Sequence, residues 1–100
     1  TQFHIAHIRE QGQDMIIVPL NSSFRFKSRE EQNEAINSLQ ICAQNAGLAG
    51  RVVVCWSNGG QYQFIAPNQW QAFFKSISWD FIMANRNKVL NAAECTKLMM

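Results

Sequence analysis

The sequence predicts an α+β domain: a four-stranded antiparallel sheet built from two hairpins, in ββα-ββα order, with two or three helices. Three observations carry this. Two stretches, Phe3 to Leu20 and Val52 to Ile65, each hold a pair of apolar or alternating segments separated by a glycine turn. Each is followed by residues with helical spacing of apolar groups. The first of those helices is punctuated at both ends.

In the first hairpin Phe3 to Glu10 and Gln13 to Leu20 are strands around Gln11-Gly12. A two-residue turn there sets Arg9 opposite Asp14 and Ile8 opposite Met15, and the opposite-charge pair supports the register. One face carries Phe3, Ile5, His7, Ile16, Val18 and Leu20; the other carries Ala6, Ile8, Met15 and Ile17. Pro19 has no N–H for a ladder, which argues for an edge strand at that point. Residues 21 to 27 connect to a helix that starts at Ser28. Ser28-Arg29-Glu30-Glu31 fits a capping box. Ala35, Ile36, Leu39, Cys42, Ala43 and Ala46 form the buried stripe, and Gly47-Leu48 fits a Schellman C-cap.

Residues 51 to 77 are the centre of the reading. Val52 to Trp56 is a β-branched and aromatic run, turned at Asn58-Gly59 or Gly59-Gly60 into Gln61-Tyr62-Gln63-Phe64-Ile65. Val53, Cys55, Tyr62 and Phe64 share the face expected to be core, while Val52, Val54, Trp56 and Ile65 share the other. Pro67 suits a first helical turn. Trp70, Phe73, Phe74 and Ile77 then make one apolar stripe. Ser78 can cap a further helix through Ala93, continuous with the first or kinked near Ser76 to Ser78. The tail at residues 95–100 is apolar and prone to fraying.

One hundred residues make a single domain, 1–100, with 47% hydrophobic residues and 16% charged ones. Ten Gln and nine Asn supply a neutral, hydrogen-bonding surface. The net charge of +2 is too small to argue for nucleic acid. Cys42, Cys55 and Cys95 match no zinc or redox spacing, and their odd number points to free thiols in a reducing, cytoplasmic setting. No segment reads as a membrane span or a signal peptide, and no motif calls for a metal or cofactor.

Catalytic constellations are absent from the sequence. Nearly all of the acidic residues are accounted for by helix starts and the hairpin pair, and Ser57-Asn58-Gly59-Gly60 lacks the frame of a phosphate loop. The feature that asks for a function is apolar. If both helices cover one side of the sheet, Ile8, Met15, Ile17, Val54, Trp56 and Ile65 form an exposed patch larger than monomers leave bare. The reading is therefore a non-catalytic interaction module, self-associating as a homodimer or binding another protein through an apolar sheet face or edge. Two alternatives are carried beside it. One is a small enzyme or ligand binder using Cys55 and a histidine. The other is a weak single-stranded nucleic-acid binder, with Arg25, Lys27 and Arg29 contacting anionic groups beside Phe24 and Phe26.

Overall fold

The computed structural model describes residues 2–91. The predicted tail at 95–100, the helical reading of 92–93, and Cys95 lie outside them. The element order is β1 (Gln2–Glu10), β2 (Gln13–Leu20), α1 (Arg29–Asn45), β3 (Arg51–Asn58), β4 (Gln61–Ile65), α2 (Gln71–Ser76), α3 (Trp79–Ala84) and β5 (Lys88–Asn91). Short 3-10 turns at Ser22–Phe26 and Asn68–Trp70 precede α1 and α2. The α+β class holds. The sheet, however, has five strands and is mixed, in the order β4-β3-β2-β1-β5.

Both hairpins form where the glycines predict. Gln11 and Gly12 have φ of 52° and 76°, and Gly59 and Gly60 have 56° and 87°. These are type I′ values, whose twist matches that of the flanking strands. Arg9 faces Asp14 and Ile8 faces Met15; the Arg9 guanidinium lies 3.2 Å from the Asp14 carboxylate. In the second hairpin Asn58 faces Gln61 and Trp56 faces Gln63, so the turn residues are Gly59-Gly60.

The antiparallel expectation fails between the hairpins. The long α1 carries the chain back across the sheet, so β3 lies parallel to β2, as a crossover connection requires. β2 is consequently central, which corrects its expected place at an edge. Pro19 acts on the other ladder instead: β1 and β2 pair from Glu10↔Gln13 to Ala6↔Ile17. Beyond that point β1 pairs with β5, Phe3 facing Leu90 and His4 facing Val89. The fifth strand replaces the end of the predicted last helix. Asn85 caps α3, its N–H donating to the Ile82 and Phe81 carbonyls. Asn87 then starts the return: its side chain accepts from the His7 N–H at 2.8 Å and donates to the His7 carbonyl at 2.9 Å. Its own N–H donates to Ile5 at 2.9 Å. One amide side chain thus mimics a strand residue and delivers β5 onto the edge of β1.

α1 is built as its sequence implies. Ser28 Oγ accepts from the Glu31 N–H, and the Glu31 carboxylate accepts from the Ser28 N–H. These bonds hold the Glu31 carboxyl below its ordinary range. At the far end Leu48 N–H donates to Ala43 and Gly47 N–H to Gln44, completing the Schellman motif. The aromatic helix is interrupted: α2 stops at Ser76, and α3 restarts with Ser78 Oγ capping Phe81 N–H.

The sheet is covered on both sides. Ile5, Ile16, Val18, Val52, Val54, Trp56 and Leu90 pack against α1 through Leu39, Cys42 and Ala43, with Phe24 closing the end. Ala6, Met15, Ile17, Val53 and Cys55 pack against Trp70, Phe74 and Ile82. Phe64, Phe73 and Phe74 interlock on that second side, with ring centroids 5.2–5.4 Å apart. Cys42 is disulfide-bonded, which corrects the expectation of free thiols and removes the argument for a reducing compartment. Among the described cysteines Cys55 is free and buried.

Candidate functional site

The predicted apolar patch does not exist as one surface. Ile17 faces Val53 and Val18 faces Val54 across the parallel pair. Met15, Ile17 and Ile8 therefore lie on the α2–α3 side, and Val54, Trp56 and Ile65 on the α1 side. Met15, Ile17, Val54 and Trp56 are all at least nine-tenths buried. Each hairpin pairs as its turn predicts, but the parallel β2–β3 register joins the opposite faces of the two hairpins from those expected.

What remains open is an edge. Among the described residues β4 pairs with β3 alone. In a two-residue hairpin the residues flanking the turn exchange both hydrogen bonds, and such pairs recur at every second residue. Gln61, Gln63 and Ile65 therefore bond inward to β3, and the N–H and C=O groups of Tyr62 and Phe64 point outward. The strand carries no charge, no proline and no bulge, the devices that blunt an edge. The opposite edge, β5, carries Lys88. β4 is also flanked by two clefts. One of about 360 Å³ lies between Tyr62 and Lys75 to Trp79. One of about 390 Å³ lies between Gln63 and the start of α1. The strand stands between them as an accessible rim, held rigid from behind. The Tyr62 hydroxyl donates to the Phe74 carbonyl, and its ring packs near Phe64 and Trp79. Burial pushes the Tyr62 phenol up to about 12, with the Cys55 thiol adding to it.

The cysteine–histidine arrangement is not assembled. Cys55 is fully buried, its thiol 3.9 Å from the Val18 carbonyl, and burial pushes it up to about 12. A thiol held protonated in this way is a poor nucleophile. His7 belongs to the other face and is bonded through Nε2 to the Ala49 carbonyl at 2.8 Å. His4 shares the side of Cys55 but is separated from it by β2, roughly 10 Å at ordinary strand spacing.

The cationic loop divides. Arg25 is bonded to Asn58 Oδ1 at 2.8 Å and lies over the Phe26 ring, 4.6 Å from its centroid. Phe24 is buried against Trp56, leaving Phe26, at 75% exposure, as the outer aromatic. Lys27 caps the 3-10 turn. Arg29 opens α1 and lines the larger cleft. Among the described residues no group of three or more His, Cys, Asp or Glu could hold a metal, and no helix is long and apolar enough to cross a membrane.

Neither the outward groups of Tyr62 and Phe64 nor the cleft beside Gln63 follows from the sequence pattern alone. The available signal was the uncharged run Gln61 to Ile65 in a chain whose other edge strand is charged. Comparison with protein-family models, with curated proteins and with solved structures returned no match.

Proposed function

We propose that the protein is a non-catalytic interaction module that self-associates by pairing β4 with β4 of a second copy. The observation that carries this reading is the uncharged, unblunted β4 edge, with its outward backbone groups at Tyr62 and Phe64. An antiparallel pair centred on Gln63 sets Tyr62 opposite Phe64 of the second copy, and Phe64 opposite its Tyr62. Those are the residues whose N–H and C=O groups face out, so the register satisfies them reciprocally. The arrangement is isologous, as two-fold dimers require. It joins two sheets into one and brings Gln63 beside its own copy, where two amides can hydrogen-bond.

Gln63→Lys tests this reading. Gln63 is exposed, so the substitution leaves the core intact. It places two ammonium groups opposite each other at the symmetry axis, where like charges repel. Sedimentation equilibrium over a wide concentration range is expected to show a monomer–dimer equilibrium for the parent chain. The Gln63→Lys dissociation constant should be raised roughly tenfold or more. A parent chain that stays monomeric throughout, or a variant that dimerises equally well, refutes the proposal.

A further inference from the structure

The cleft on the α1 side of β4 has a chemistry that self-association does not use. α1 leaves Gln63 uncovered, and a space of about 390 Å³ opens between the first turns of the helix and the strand. That is the size of a site for an amino-acid-sized molecule. Its walls include Arg29 and Asn33 from α1, Trp56 and Gln63 from the sheet, and Asn68 beyond β4. None of the carboxylates Glu30, Glu31 and Glu34 lines it, and Glu31 is turned back to the Ser28 N–H. The lining is therefore cationic and amide-rich.

Two residues that line it carry uncommitted donors. Arg29 makes no ion pair or hydrogen bond among the described residues, whereas its neighbour Arg25 is held by Asn58. Trp56 is only 6% exposed, yet its indole Nε1 is a buried donor without a hydrogen-bond partner among the described residues. Buried polar groups are almost always bonded, so such a donor needs an explanation. Ile65 and Ala66 add apolar surface to the same cleft.

We propose that this cleft binds a small carboxylate-bearing molecule. The carboxylate engages the Arg29 guanidinium, and the amides of Asn33, Gln63 and Asn68 bond its remaining polar groups beside the Trp56 indole, whose N–H senses the change in its surroundings. Guanidinium is well suited to carboxylate geometry, and the absence of acidic side chains from the lining selects against cationic ligands.

The probe is N-acetylglutamine, with its C-terminal carboxamide as the uncharged control. The readout is the indole N–H resonance of Trp56 in the nitrogen–proton spectrum, assigned by triple-resonance methods so that no core variant is needed. N-acetylglutamine is expected to move this resonance along a saturable curve with a dissociation constant on the order of 1 mM. The carboxamide and the Arg29→Gln variant should each weaken binding roughly tenfold. Arg29 is exposed, so the variant keeps its fold, which the rest of the spectrum reports. A Trp56 resonance that does not move, or that moves equally with the carboxamide or in Arg29→Gln, overturns the proposal. The measurement is made in the monomer range and stands apart from the dimer test.

Discussion

Gly50 offers a quantitative test of the way α1 returns the chain into the sheet. Its φ is +119°, and a Cβ built there would lie 2.5 Å from the Asp14 carbonyl oxygen, 2.7 Å from that carbonyl carbon and 2.9 Å from the Asp14 Cβ. The obstacle is backbone on central strand β2, so it cannot swing aside as a flexible side chain can. Gly50→Ala therefore combines two costs. Holding alanine in this region of φ costs about 1–3 kcal/mol, and displacing β2 from the close approach costs about 1–3 kcal/mol more. The sum is about 2–6 kcal/mol. Gly12→Ala is the internal control. Its φ is also positive, +76°, but nothing lies within 4 Å of the added Cβ. Only a conformational cost of about 1–2 kcal/mol applies there; the unfolded-chain entropy change of Gly→Ala is common to both variants and cancels. Urea unfolding should therefore separate the two variants by about 1–4 kcal/mol, with unchanged m-values, Gly50→Ala the weaker. Variants that agree within about 0.5 kcal/mol would refute the close parallel approach of β2 and β3 at this point.

Phe74→Ala removes a fully buried ring that contacts Phe64 and Phe73, and should cost about 3–5 kcal/mol by urea unfolding. Cys55 should resist alkylation in the native protein and react on unfolding without reductant, while Cys42 should react only after reduction; mass spectrometry distinguishes the two. The raised Cys55 and Tyr62 groups also set a pH dependence. Each favours its neutral form in the folded chain. The stability they contribute is complete below their unfolded values of 9.0 and 10.0 and is lost as pH rises toward about 12. A Cys55→Ala chain should lose less stability over that alkaline window, measured by urea midpoints. Asn87→Ala removes the side-chain pair on His7, and hydrogen exchange at the His7 amide should accelerate roughly tenfold or more.

The parts of the fold that were legible were those fixed within a few residues. Turn glycines set both hairpin registers, and Ser28, Glu31 and Gly47 set both ends of α1, because φ and capping bonds are local. The relation between the hairpins was not legible. It depends on where the α1 crossover sets down β3, and shifting that register by one residue sends every side chain to the opposite face. Val54 and Trp56 were therefore grouped with Met15 and Ile17, when their neighbours on the sheet are Val18 and Leu20. β5 was hidden for a related reason. Val89 and Leu90 continue a helical spacing, and only the Asn87 amide, bonded to a strand some eighty residues earlier, turns the chain onto β1.

The corrected register also moves the argument about association from the face of the sheet to its edge. An amphipathic sheet with one bare side would have needed a partner to bury several hundred Å² of apolar surface. A sheet covered by α1 on one side and by α2 and α3 on the other has no such requirement. Among the described residues β4 leaves outward backbone groups at an uncharged edge, and the hydrogen bonds they call for are directional. An apolar patch accepts many partners, whereas an edge accepts only an extended strand in a register that matches its outward groups. The amides at Gln61 and Gln63 fit this role, since they neither repel a second copy nor offer a greasy surface to an unrelated chain. On the proposed self-association, the neutrality of β4 permits one kind of contact, while charge stands on β5 and on Arg29 at the mouth of the neighbouring cleft.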